Sequence, residues 1–432
     1  MGSSQFAYHS NSPRFPQPPS DVPLRWRVLY QTYFPDGNRD KRLKVTRRSL
    51  SLVGALVLGW TGGQSPAHST AGQGERIDPE KELTVRDLSV IDDPTRSLDP
   101  CVASEEPLPA WSFGRIMRSV SQQAGESDAS AFVKDWLDTW TQEQVVNGHL
   151  LRPVGIDQIV TVPWLAASGG ERLDLGRAPF RLLAIVNRLD LNEFRMEYVA
   201  TDFFCEPMHF GVIFEFELPT ASIQDLRALA EAWHALGILP FGEEYNAALQ
   251  SITDQLISAP LKHVNTVEEE ASIDEWNYRS FAIAGQSLVN VPLFQSPDVR
   301  DDRSPELISW VNDNQDDILA DRHMVPVGLL GGDTRNLNWT GTGFQDPLEV
   351  RHHFALATCN GCHAGETATD FVHINRRRRG EQSMMSEYLT GETILDPGGE
   401  TRTFNELARR ADFLRDLLQG PMFRVPAPSP SW

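Results

Sequence analysis

The sequence has no uninterrupted apolar run of about 18 residues, so it holds no helical membrane span. Its four cysteines are too few for a disulfide-dense scaffold of 432 residues. Positive charge is scarce: 39 Lys and Arg face 59 Asp and Glu, a formal charge of −20. So acidic a chain repels phosphate backbones, which argues against nucleic-acid binding. No phosphate loop, Gly-x-Ser-x-Gly or His-Glu-x-x-His is present. What remains is an ordinary folded composition, 40% apolar and 23% charged, long enough for two domains.

Residues 1–71 read as a leader. The first forty are rich in Ser, Pro, Asn and Gln and show no period. A basic cluster (Lys41, Arg42, Lys44, Arg47, Arg48) then precedes the mostly apolar run Ser49–Trp60. Ser69 and Ala71 follow at the small-x-small positions of a cleavage site, which completes the three parts of a secretory signal. Thr46-Arg47-Arg48-Ser49-Leu50 resembles a twin-arginine signal, although paired arginines also occur in ordinary signals. The protein is therefore expected to be exported, to a periplasmic or extracellular location. Loss of the leader removes nine basic and three acidic side chains, leaving an even more acidic chain.

Residues 72–110 show no periodicity and are expected to form a linker or wrapping segment. Residues 111–345 read as an α+β domain. Phe132, Trp136 and Trp140 lie at helical spacing in Ala131–Gln144. Phe180–Leu189, Phe210–Leu218, Phe281–Ala284 and Ser287–Phe294 read as strands. Ile223–Leu236, Tyr245–Ile257 and Pro305–Leu319 read as helices. Nothing in this domain forms a recognisable catalytic constellation. In an oxidising compartment Cys101 and Cys205 would either pair or stay as separate buried thiols.

Residues 346–425 carry the sharpest motif. Thr358-Cys359-Asn360-Gly361-Cys362-His363 contains Cys-x-x-Cys-His, the attachment sequence for c-type haem. On a helical turn, positions i, i+3 and i+4 share one face. Two thiols there reach the haem vinyl groups while the adjacent imidazole reaches the iron. Chance gives about one such match in a thousand chains of this composition. Two other chemistries use the same residues: a zinc site, with ligands drawn from Cys359, Cys362, His352, His353, His363 and His373, and a plain disulfide or redox dithiol.

The sixth iron position must be filled from the opposite haem face. His373 is the first candidate, with Met384 and Met385 as alternatives and Met422 after the final helix expected at Phe404–Leu418. An open sixth position would turn an electron carrier into a ligand binder or peroxidase. Arg376–Arg379 reads either as a partner for haem propionates or as a solvated or docking face.

Around Ala357–His373, with Asn360, Gly361, Gly365, Glu366, Thr367 and Phe371, the sequence resembles c-type cytochromes. More narrowly it resembles a group of exported bacterial proteins that carry Cys-Asn-Gly-Cys-His near the C-terminus. Phe180–Leu191, Trp233–Ile257 and Glu387–Gly391 are similar to that group as well. The resemblance implies one covalent haem c, thioether bonds at Cys359 and Cys362, and His363 as proximal ligand. It departs from small cytochromes in having no Gly-x-x-Met setting before the last helix. The expectation is a large mixed α+β domain followed by a short, mainly helical, cytochrome c-like segment. Its expected function is single-electron transfer to a redox partner with a basic or neutral surface. The alternative is a non-redox exported binding protein stapled by zinc or a disulfide.

Overall fold

Alternation of apolar and charged residues builds the centre of the molecule. The computed structural model describes residues 76–420, apart from 103–105, 221, 271–274, 335–336 and 370–371. The expected leader, Phe371 and Met422 lie outside the described residues. The strands are β1 (Thr84–Val85), β2 (Gln144–Val146), β3 (His149–Leu151), β4 (Phe180–Arg188), β5 (Glu193–Thr201), β6 (Pro207–Glu217), β7 (Leu261–Glu270), β8 (Glu275–Ala284), β9 (Ser287–Val291), β10 (Asp333–Thr334), β11 (Glu392–Leu395) and β12 (Thr401–Phe404). An antiparallel sheet runs β1-β4-β5-β6-β7-β8-β10, with β9 also paired to β8. β2–β3 and β11–β12 are separate hairpins.

The helices are α1 (Pro79–Glu82), α2 (Leu88–Ile91), α3 (Phe113–Gln123), α4 (Ala129–Asp138), α5 (Val162–Ala167), α6 (Ile223–His234), α7 (Glu243–Ile257), α8 (Pro305–Asp313), α9 (Gln315–Leu319), α10 (Glu349–Leu356), α11 (Glu387–Thr390) and α12 (Glu406–Gln419). The architecture is α+β. None of these helices is long and apolar enough to cross a membrane.

Residues opposite each other in antiparallel strands point to the same side, and side chains alternate along each strand. One rung reads Ile185–Met196–Phe214–Val264–Phe281. On that side Phe113 of α3 stacks on Phe180 at 3.9 Å, and Trp136 of α4 meets Phe281 edge-on at 6.0 Å. Trp140 and Trp164 complete this buried aromatic layer. The intervening rungs read Val186–Arg195–Glu215–His263, Ala184–Glu197–Ile213–Asn265–Ser280 and Arg181–Val199–Gly211–Val267–Tyr278. The second face of the sheet thus mixes charged and polar residues with valines and Ile213.

Packing is continuous across the expected segment limits at residues 110 and 345. Leu83, Val85, Val90 and Ile91 join the apolar core, and Asn187 donates its backbone N–H to Leu83 O at 2.9 Å. Ile374, Leu389, Leu407, Leu414 and Leu417 belong to the same core. The stretch expected to be mainly helical also contains the β11–β12 hairpin. The helix expected over Pro305–Leu319 is interrupted at Asn314, separating α8 from α9. Cys101 and Cys205 form a disulfide with Cα atoms 5.9 Å apart, tying residues before α3 to the β5–β6 connection.

Candidate functional site

The Cys-x-x-Cys-His segment follows α10 and ends in a wide helical turn over Gly361–Gly365. Two glycines make this turn possible. A Cβ on Gly361 would overlap the Ala355 carbonyl oxygen, and one on Gly365 would overlap the Asn338 side-chain oxygen. Buried side chains fix the start of the turn: the Trp339 indole N–H donates to Thr358 Oγ1 at 3.0 Å and to Asn360 Oδ1 at 3.3 Å. The Cys359 backbone N–H donates to Ser296 Oγ at 2.8 Å.

The far end is held by charge. Arg351 of α10 forms an ion pair with Glu366, and the same carboxylate accepts from His352 Nδ1 at 2.8 Å. Asp396 receives Arg402 Nε at 2.9 Å and lies 3.4 Å from Arg351 Nη2. His352, Glu366 and Asp396 are the single trio, among the described His, Cys, Asp and Glu residues, whose ligating atoms all lie within 4.8 Å of one another. Two arginines already neutralise it, so it is a brace and not a vacant cation site.

Cys359 and Cys362 are free thiols. Burial pushes them up to about 12 and about 11, so both are protonated at neutral pH. His373 lies beside this turn. Its Nδ1 is 3.0 Å from Ser386 Oγ and its Nε2 is 3.5 Å from Cys362 Sγ. Its ring centroid is 4.4 Å from that of His363 and 4.8 Å from that of Tyr388. Burial, with His363 and three arginines nearby, holds the His373 imidazole well below its ordinary value, so it is neutral.

Met384 is exposed on the surface, whereas Met385 packs against the apolar core; neither faces the cavity described next. The arginine run splits. Arg376 reaches the cavity, while buried Arg377 donates to Leu182 O at 2.8 Å and to Asp92 Oδ1 at 2.5 Å. Arg378 and Arg379 pair with Glu206 and Asp99, both at 2.8 Å.

Between the second face of the sheet and this segment lies an open cavity of about 110 Å³. Its floor runs from His209 to Ile213 along β6, about 13 Å at ~3.3 Å per residue. It crosses five strands from β4 to β8, about 19 Å at ~4.8 Å per gap. Val186, Val199, Gly211, Ile213 and Val267 make most of it apolar, and His363 and His373 stand over it. His363 thus faces an elongated, mostly apolar slot, while Cys359 and Cys362 of the same segment stand outside its lining. The donor set of Cys359, Cys362 and His363 fits a covalently attached haem.

Charge gathers at one end of the slot. Arg195 pairs with Glu193 at 2.7 Å and Glu215 at 2.8 Å, and Arg188 pairs with Asp190 at 2.9 Å. Burial alone would raise Glu215, but Arg195, His263 and Lys262 outweigh it and hold the carboxyl at about 2. For Glu197, one rung away, burial wins over Arg195 and Arg410 and raises the carboxyl to about 7. The motif identified the turn residues from sequence; the sheet residues Glu197, His209 and Arg195 that face them did not stand out. The strict alternation Phe194-Arg195-Met196-Glu197-Tyr198 was the available signal.

No family model matches the chain, and no curated protein or solved structure matches it either.

Proposed function

We propose that this is an exported, mono-haem, c-type cytochrome-like protein that transfers single electrons, with the sheet domain supplying the surface for a redox partner or substrate. The observation that carries the reading is the slot lying directly against the Cys-x-x-Cys-His turn. Cys359 and Cys362 would hold the haem through thioether bonds and His363 would ligate its iron. Bound there, haem supplies a one-electron iron couple.

The chain's own part is to position and to shield. Trp339, Thr358 and Asn360 set the turn, the Arg351–Glu366–His352 brace holds its exit, and the valines of β4, β5 and β7 present an apolar wall. A cytochrome c-like character for residues 346–425 is part of the same proposal. Export to an oxidising periplasmic or extracellular compartment is supported by the Cys101–Cys205 disulfide. A zinc staple draws less support, because the trio of converging donors among the described residues does not include Cys359, Cys362, His363 or His373.

The test is a pyridine haemochrome spectrum of denatured protein exported by a host with haem-attachment machinery, alongside the Cys359→Ala, Cys362→Ala double variant. One c-type haem per chain, absent from the variant, is the expected result. Zinc or no metal in place of covalent haem would leave the non-redox binding protein.

A further inference from the structure

We infer that the charged end of the slot is a carboxylate receptor whose receiving group is Arg410. The inference stands on the cavity and not on the haem reading.

The local ion pairs do not balance. Five cations (Arg188, Arg195, Lys262, Arg409 and Arg410) share four carboxylates, those of Asp190, Glu193, Glu215 and Glu406. Arg410 is the cation left short. It is only 7% exposed and projects from α12 into the slot. Among the described residues its one hydrogen bond runs from Nε to Glu406 Oε1, at 3.0 Å, and that carboxylate is shared with Arg409 and Arg188. Both terminal nitrogens, the fork that takes a carboxylate in bidentate fashion, make no hydrogen bond among the described residues.

A buried, under-compensated guanidinium is costly unless a ligand supplies the missing charge. Burial and the neighbouring Arg188 pull Arg410 down to about 10, a shift that reflects this shortfall. Glu197 faces the same end, but with its carboxyl raised to about 7 it is only about half ionised near neutrality and closes the gap in part. Valines and Ile213 make the slot floor beside it mostly apolar, with His209, His363, His373 and Arg376 elsewhere in the lining. The matching guest is therefore a flat apolar body bearing a carboxylate, either the carboxylate of the haem itself or that of a free aromatic acid.

The experiment follows the melting temperature of exported protein, with haem content measured first, against added benzoate. It uses wild type, Arg410→Gln, Arg410→Lys and, as a control on the exposed side of α12, Arg415→Gln. A saturable rise in wild type and Arg415→Gln, abolished in Arg410→Gln and about tenfold weaker in Arg410→Lys, assigns the site to a free acid. A rise seen only in the haem-free Cys359→Ala, Cys362→Ala protein, and lost when Arg410→Gln is added, assigns it to the haem carboxylate. If Arg410→Gln does not fold, Arg410→Lys alone gives the reading. No rise with or without haem, or a rise untouched by substitution at Arg410, overturns the inference, whatever the haemochrome shows.

Discussion

The two faces of the central sheet are built from alternate residues of the same strands, yet they do different work. On one, Met196, Tyr198, Phe214 and Phe281 meet α3 and α4 in a closed aromatic layer. On the other, Arg195, Glu197 and Ile213 meet an irregular C-terminal stretch across the slot. Packing to crystal-like density leaves no room for a ligand, so stability and binding are separated by sheet side. A single strand, β5, serves both roles by its period of two.

The contrast predicts unequal costs. Phe113→Ala removes a ring stacked on Phe180 and should lower unfolding free energy by about 4 kcal/mol, whereas Ile213→Ala on the slot floor should cost no more than about 1 kcal/mol. Denaturant titration of both variants measures this, and equal losses would erase the distinction between the faces.

The Cys101–Cys205 link closes a loop of 104 residues. Replacing both cysteines with serine should cost about 3 kcal/mol in the same titration. Stability unchanged from that of the oxidised parent would mean the bond contributes nothing.

On the slot side, Glu366→Gln breaks the brace behind the Cys-x-x-Cys-His turn. It should cost about 2–3 kcal/mol, since Arg351 is then left short of a buried partner. Limited proteolysis should then cut within residues 358–375 before the sheet is attacked. Cleavage at the parent rate would remove the brace from the account.

The smallest effects separate two carboxyls on adjacent rungs. Glu215 is held below its ordinary value in the fold, so its stabilisation is present above pH ~4.5 and is lost as pH falls toward 2. Glu197 is raised, so ionising it penalises the fold increasingly from pH ~4.5 to 7, and fully above that. At pH 8 Glu215→Gln should therefore destabilise and Glu197→Gln stabilise, each on the order of 1 kcal/mol. Thermal melts from pH 4 to 8 check the opposite signs; shifts of the same sign would contradict them.

The sequence was most legible where one feature repeated or one motif was rare. The long apolar runs of β4 and β6, the helical spacing in α4, α6 and α7, and the Cys-x-x-Cys-His turn were readable directly. β5 and β7 were not identified, because Arg195, Glu197, Lys262 and His263 dilute their apolar content. Arg195 and Glu197 face a cavity, and Lys262 and His263 pair with Glu193 and Glu215 on neighbouring strands, which only the pairing of strands reveals. The short elements in residues 77–91 were also missed. Their order comes from tertiary contacts such as Thr84 opposite Val186, not from any local period. Conversely, Arg376–Arg379 looked like one patch and is four separate roles, since neighbours in a non-helical stretch point different ways.

The central claim is that the slot beside Cys359, Cys362 and His363 holds one covalently attached haem. Intact-mass measurement of the exported protein under denaturing conditions tests it most directly. The account predicts a mass equal to the mature chain plus one haem, returning to the bare chain in the Cys359→Ala, Cys362→Ala variant. A wild-type mass equal to the bare chain, from a host shown to attach haem to another cytochrome c, would contradict it.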